Sequence, residues 1–330
     1  MKAAFITECG PASNIQYGDI EKPVACGTQV LVRVASVALN PVDTYIRNGA
    51  NYWELPQPFV VGCDLAGTVE AIGEEVTLFQ VGDRVWGTNQ GLLGRQGTFA
   101  EYCAVEQSQL YPTPENVTDD DAAACALVGV TAHLGLFRDA QLQPGETVFV
   151  HGGTGGVGAM VVQMAKQRGA RVITTAGSDE KADRCRALGA DVVILYKTED
   201  ELAAIEQAAP DGIDVFWETL REPNFDSIIS VMKTYGRIIL MAGRDARPEF
   251  PVGPFYVKCL RLFGFVMFKA SDEQLNECAA DINRWLSDGS LQAGISRIYP
   301  LSETAEAHQV QHDNTLGQSG DIAGKIVLNP

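Results

Sequence analysis

Between residues 147 and 268, short apolar runs alternate with stretches in which apolar positions recur at helical spacing. The runs are Thr147–His151, Arg171–Thr175, Asp191–Leu195, Ile213–Trp217, Gly236–Ala242 and Arg261–Phe268. A strand covered on both faces reads as a nearly continuous apolar run, and strands that alternate with helices build a parallel sheet. The pattern therefore predicts a doubly wound α/β sheet of six strands. The last run, Leu260 to Phe268, is long and apolar. At a sheet edge it needs a partner, and pairing with a second copy of the chain supplies one.

The first 115 residues have a different rhythm. Short strand-like runs are punctuated by glycine: Gln29–Ala38, Phe59–Gly62, Gly67–Gly73 and Asp83–Gly87. That pattern predicts a β-rich domain, a partial barrel. Pro112 and Pro114 mark its end. Thr118 is a good helix N-cap, with Asp119, Asp120 and Asp121 in a first turn whose dipole favours acids, and the helix runs toward Leu136. After Ser271 come a helix (Asp272–Leu286), a strand (Gly294–Pro300), a helix (Ser302–His312) and a strand (Lys325–Leu328). This tail is too small to fold alone, so it is expected to return to the N-terminal domain. The expected domains are 1–123 with 269–330, and 124–268.

Composition narrows the partners. The chain has 330 residues, 46% of them hydrophobic, and a formal net charge of −17. Such a surface repels phosphate backbones and anionic membranes, so neither nucleic acid nor membrane is expected as a partner. Nothing resembles a signal peptide: Glu8 interrupts the N-terminal run early. The cysteines (Cys9, Cys26, Cys63, Cys103, Cys125, Cys185, Cys259, Cys278) form no C-x-x-C pair, which fits a reducing, cytoplasmic setting. His308 and His312 have i, i+4 spacing, but Gln309, Gln311 and Asp313 surround them, so a solvated helix face is expected.

The chemistry-bearing stretch is Thr147-Val-Phe-Val-His151-Gly-Gly-Thr-Gly-Gly-Val-Gly158. Gly153-x-Gly155-x-x-Gly158 has the dinucleotide-binding spacing, between a strand and a helix. Gly153 would permit the tight turn, Gly155 the approach of backbone to a pyrophosphate, and Gly158 close helix–strand packing. The next strand ends in Ala176-Gly177-Ser178 and carries no carboxylate at its tip. A carboxylate there binds the ribose 2′-hydroxyl of NAD and repels a 2′-phosphate. Ser178 and Lys181 offer a hydroxyl and an ammonium instead, which predicts NADPH. Lys181 has a plainer reading as a surface residue of the following helix.

Together these stretches resemble the medium-chain dehydrogenase/reductase superfamily, and within it the zinc-free, zeta-crystallin-like quinone oxidoreductases. Val37–Gly49, Gly62–Gly73, Val81–Val85, Gly97–Tyr102 and His151–Gly158 carry the resemblance. It implies a Rossmann sheet beside a GroES-like domain. Zinc alcohol dehydrogenases place a Cys ligand where this chain has Asn40, and a His-Glu pair where it has Cys63-Asp64. The stretch Gly91–Gly97, where their structural zinc lobe would lie, has no cysteine. No metal is expected.

The resemblance further implies that Thr154, Gly155, Gly156 and Val157 hold the pyrophosphate. Gly177, Ser178, Lys181 and Tyr196 would meet the adenosine 2′-phosphate end. Tyr45, Gly243, Arg244, Gly264, Phe265 and Val266 would lie about the nicotinamide. Arg244 reads equally well as a surface charge, and Tyr196 as loop packing. Asn40, Tyr45, Tyr52 and Thr131 are the catalytic candidates; an amide or a hydroxyl can donate a hydrogen bond as charge develops on an acceptor oxygen. Without a metal, suitable substrates accept hydride unaided. Quinones lead, and α,β-unsaturated carbonyls are the alternative. A nucleotide-binding protein of structural or sensing use, with little turnover, is the reading from another class.

Overall fold

The computed structural model describes residues 1–50, 53–317 and 319–330. The chain divides into unit 1, Met1–Val130 with Ala270–Pro330, and unit 2, Thr131–Lys269. The division falls within the long helix, after Val130.

Unit 1 begins with β1 (Lys2–Ile6), β2 (Gln16–Asp19), β3 (Gln29–Leu39), α1 (Pro41–Arg47), β4 (Phe59–Val60) and β5 (Asp64–Ile72). β6 (Arg84–Gly87), β7 (Tyr102–Glu106), β8 (Leu110–Pro112) and α2 (Asp119–His133) follow. α2 starts where capping chemistry places it: the Asp121 amide donates to Thr118 Oγ1 at 3.1 Å. It continues as a π-helical turn, Leu134–Asp139. The stretch Asp119–Asp139 is long and apolar enough to cross a membrane by length and composition, but 78% of its apolar part is buried inside the protein, as in a core helix.

Unit 2 contains β9 (Thr147–Val150), α3 (Gly156–Gln167), β10 (Arg171–Ala176), α4 (Asp179–Ala187), β11 (Val192–Leu195) and α5 (Glu201–Ala208). It continues with β12 (Ile213–Glu218), α6 (Phe225–Val231), β13 (Met232–Leu240), α7 (Val252–Val257) and β14 (Arg261–Gly264). The sheet order is β11-β10-β9-β12-β13-β14, all parallel. This is the doubly wound Rossmann order, whose switch point lies between β9 and β12, the strands on either side of the reversal. Phe149, Ile173, Phe216 and Ile238 fill one face. The sixth strand is shorter than its apolar run suggests. It stops at Gly264, and a 3₁₀ turn, Met267–Lys269, takes up the rest, closed by the Lys269 amide on Val266 O at 3.2 Å.

The tail supplies α8 (Asp272–Ser287), β15 (Ile295–Pro300), α9 (Thr304–Thr315) and β16 (Lys325–Asn329). It completes unit 1. β16 pairs antiparallel with β3 in the sheet β15-β16-β3-β5-β6-β8, and Trp86 Nε1 donates to Asn283 on α8 at 2.9 Å. The expected solvated histidine face is not found. His308 is fully buried where α9 packs on α1, beside the Phe99 ring, while His312 is half-buried. Tertiary packing chooses the inward face here, against the polar neighbours in sequence.

Candidate active site

The glycine turn is built as the spacing predicts, with one reassignment. The left-handed residue is Gly152 (φ 70°), one position before the motif's first glycine. Gly153 is needed for clearance, since a Cβ there would lie 2.4 Å from Thr174 Oγ1. Gly155 is the N-cap of α3, with Gly156 opening the helix. A Cβ on Gly158 would lie 2.2 Å from the Gly152 carbonyl oxygen, so helix and turn approach as closely as glycine allows. The amide groups of Gly156, Val157 and Gly158 at the helix start, together with its dipole, make a seat for a phosphate anion. Thr154 is buried at the turn.

At the tip of β10, Ser178 caps α4 and accepts the Lys181 amide at 3.4 Å, which keeps its hydroxyl at the surface. Gly177 lies under Tyr196: a Cβ there would come 2.7 Å from the phenol oxygen. Gly177, Ser178, Lys181 and Tyr196 are thus brought together. Asp179 and Glu180 fall in the first turn of α4, where acids cap the helix. Gly264, Phe265 and Val266 line a cavity of about 460 Å³ with Arg138 and Lys269. Gly243 is left-handed (φ 64°), with Arg244 exposed beside it.

The sequence reading did not single out His151, at the end of β9. Its Nδ1 lies 2.8 Å from Glu218 Oε1 and its Nε2 2.8 Å from Glu201 Oε1. Burial works against the charged imidazole, but the two carboxylates prevail and raise it to about 9. Glu218 Oε1 also accepts the Leu220 amide at 2.6 Å, and Thr219 Oγ1 donates to His151 O at 3.0 Å. An imidazolium therefore ties β9, α5 and the loop after β12 directly beneath the phosphate turn. The available signal was a histidine directly before the glycines and a glutamate ending a neighbouring strand.

In unit 1 the candidate Asn40 lies in a buried polar cluster. Asn40 Nδ2 donates to Asp64 Oδ2 (2.8 Å) and to Ala38 O (3.2 Å). Its Oδ1 accepts from Lys325 Nζ, which also donates to Leu39 O at 2.8 Å and lies 3.8 Å from Asp64. Thr88 Oγ1 donates to Asp64 Oδ1 at 2.6 Å, and the Asn40 amide to Asp43 Oδ2 at 2.7 Å. Both amide hydrogens of Asn40 are therefore engaged inside the protein, which makes it a positioning group rather than a free donor. Burial pushes Asp43 up to about 7 and Asp64 upward, and it pushes Lys325 down against the pull of Asp64 and Asp43. Lys325 was missed because it reads as the start of an apolar strand; a lone charge heading such a strand was the signal.

Of the other catalytic candidates, Tyr45 is half-buried on α1 and Thr131 is buried on α2. Tyr52 lies outside the described residues.

Residues 27–115 match the family model of the alcohol dehydrogenase GroES-like domain, and residues 156–283 that of the zinc-binding dehydrogenases. A quinone oxidoreductase of Sus scrofa is 31% identical over 320 residues, covering 97% of this chain and 94% of the relative. The chain belongs to the quinone oxidoreductase family of the medium-chain dehydrogenase/reductases. Among solved structures, a protein described as an NAD-dependent alcohol dehydrogenase superposes with TM-score 0.89 at 29% identity, covering 100% of both chains. A mycobacterial protein solved in complex with NADPH does so with TM-score 0.87, at the same identity and coverage. As a member of this family, the protein is an oxidoreductase that works with a nicotinamide cofactor.

Other members of the superfamily hold zinc, and the residues of the Asn40 cluster do not suit that ion. Zinc takes thiolate, neutral imidazole or carboxylate donors. Burial, with Asp43 and Asp64 beside it, pushes the Cys63 thiol well above its ordinary value, away from thiolate. The Lys325 ammonium is a cation fixed in place there. Among the described residues, no group of three or more His, Cys, Asp or Glu side chains is arranged to hold a metal.

Proposed function

We propose that this protein reduces quinones with NADPH by hydride transfer, without zinc. The observation that carries the reading is the Lys325–Asn40–Asp64 cluster: Asn40 stands where zinc alcohol dehydrogenases have a Cys ligand, and its side chain is engaged by Asp64 and by Lys325. A quinone needs no Lewis acid, because incoming charge delocalises onto its oxygens; the protein binds, orients and excludes water. Bound NADPH would supply the hydride. The glycine turn would hold its pyrophosphate, and Ser178 and Lys181 its 2′-phosphate, with Tyr196 closing over Gly177. The reduced acceptor takes up a proton, for which the Tyr45 hydroxyl is the candidate donor on α1. Asn40 supports the site by fixing the end of β3 and the start of α1.

We further propose a homodimer through β14. Among the described residues this edge strand pairs only with β13, and Leu262 on it is 39% exposed. Size-exclusion chromatography with light scattering tests this; a monomeric mass refutes it. All eight cysteines are free, which suits a cytoplasmic location.

The deciding assay is NADPH oxidation by chelator-treated protein, with a naphthoquinone and an enone as parallel acceptors and NADH as control. Turnover with NADPH and the naphthoquinone is expected. Loss of activity on chelation refutes the metal-free reading. NADH outrunning NADPH refutes the role of Ser178 and Lys181. Preference for the enone makes quinones incidental acceptors, and cofactor binding without turnover points to a non-catalytic role.

A further inference from the structure

The glycine turn between β9 and α3 carries few side chains of its own, so its position is set by what flanks it. Thr175, near the end of β10, holds one side: the Gly152 amide donates to Thr175 Oγ1 at 3.0 Å and the Gly153 amide to Thr175 O at 3.3 Å. His151 holds the other. Its amide donates to Trp217 O at 3.1 Å, and its carbonyl accepts the Thr219 hydroxyl at 3.0 Å. The next carbonyl, of Gly152, accepts the Gly155 amide at 3.0 Å, at the N-cap of α3. A shift of His151 is therefore carried into the helix start.

The His151 ring is held by charge. A neutral imidazole has one N–H and can donate to one carboxylate only. Here a carboxylate oxygen lies 2.8 Å from each ring nitrogen, Glu218 Oε1 at Nδ1 and Glu201 Oε1 at Nε2. Only the imidazolium satisfies both. Glu218 comes from the end of β12 and Glu201 from the first turn of α5, and these two are the charged groups that act on the ring. The Phe149 and Phe216 rings pack edge-on to it, with centroids at 4.9 and 5.3 Å. Glu218 is buried, and its Oε2 has no hydrogen-bond partner among the described residues, so His151 is its counter-charge. Loss of the ring proton would leave two carboxylates about a neutral ring, under a turn built for phosphate. Uncompensated negative charge there repels a pyrophosphate, with little screening inside the protein.

We propose that His151 is a positioning residue for the cofactor: its imidazolium, bracketed by Glu201 and Glu218, holds the glycine turn in its phosphate-binding form and offsets the carboxylates beneath it, so that nucleotide affinity depends on the His151 proton. The inference rests on the reading of the turn as a pyrophosphate seat.

Titration of the full chain with NADPH and with NADH, from about pH 6 to about pH 10 at fixed ionic strength, tests it. The dissociation constant is flat around neutrality and rises about five-fold or more as pH climbs through about 9, where the imidazolium is lost. The rise is equal for the two nucleotides, which share the pyrophosphate; deprotonation of Lys181 or Tyr196 would weaken NADPH alone. Glu201→Gln removes one of the two carboxylates and moves the rise to lower pH. His151→Gln abolishes the rise and weakens binding at neutral pH. By reciprocity, bound nucleotide raises the His151 titration itself, read by NMR. Should His151→Gln misfold, the wild-type profile and Glu201→Gln still decide. A flat dissociation constant, a rise confined to NADPH, or a Glu201→Gln profile that superposes on the wild type overturns the proposal and leaves the reductase reading standing. Failure of both nucleotides to bind overturns the two together.

Discussion

His151 in unit 2 and His308 in unit 1 are both buried, yet they are held in opposite charge states. His151 has a carboxylate on each ring nitrogen and is raised to about 9. His308 has no hydrogen bond at either ring nitrogen among the described residues, and burial, with Arg47 nearby, depresses it to about 3. Burial acts against charge in both places; the carboxylates decide between them. Unit 2 keeps a compensated cation under its phosphate turn. Unit 1 keeps His308 uncharged at its α1–α9 contact, beside the buried Arg47 guanidinium, and gathers further charged groups around Lys325.

The contrast is broken hardest at Lys325. Lys325→Met leaves Asp64 buried without its cation, and a loss of about 3–5 kcal/mol is expected in denaturant unfolding of unit 1. Protonating Asp64 relieves that cost, so the loss shrinks in acid, and adding Asp64→Asn restores part of it. If Lys325→Met unfolds like the wild type, the ammonium is not the counter-charge argued here.

In unit 2, Glu218→Gln weakens the bracket on His151. Its expected cost is about 1.5–3 kcal/mol, the scale of a hydrogen bond to a charged group. NMR titration should find His151 lowered from the wild-type value; an unmoved titration removes Glu218 as a cause of its charge.

The two histidines also give opposite pH windows. The raised His151 contributes stability that is whole below the unfolded value of roughly 6.5 and is lost progressively as pH climbs to about 9. The depressed His308 costs nothing above roughly 6.5, and unit 1 loses stability as pH falls from there toward about 3. Amide hydrogen exchange across this range should show α9 opening first in acid and the ends of β9 and β12 first in alkali. His308→Phe should flatten the acid limb alone. Parallel loss of protection in both units on the same side of neutrality refutes the comparison.

The smallest effect is expected at Gly177→Ala. The clash is with the end of the half-exposed Tyr196 side chain, which can swing away, so stability should change by less than about 0.5 kcal/mol. A larger loss in thermal melting would mean that Tyr196 is locked over the glycine.

What could be read from the sequence was what local spacing governs. The apolar runs located the six Rossmann strands, Thr118 announced α2, and the glycines located the tight turn that opens α3. Most of the misses are set by distant chain, and one by a local turn. His308 sits among polar neighbours, and only the packing of α9 on α1 turns it inward. The sixth apolar run gives no sign of the 3₁₀ turn that ends β14 at Gly264. Asn40 looked like an available donor because Lys325, which takes its carbonyl, lies 285 positions away. The Gly177–Tyr196 contact lay closer to reach, since both residues end adjacent strands, β10 and β11.

That separation has a consequence in time. During synthesis at roughly 5–20 residues per second, Asn40 and Asp64 leave the ribosome roughly 15–60 s before Lys325 is added. Thr131–Lys269 is contiguous and emerges complete within that interval, so unit 2 can collapse while β3 still lacks β16 along one edge. A nascent chain arrested before residue 325 would therefore carry a finished nucleotide-binding sheet tethered to an unsealed, chaperone-accessible β-domain. The arrival of one late lysine marks the moment at which that domain closes.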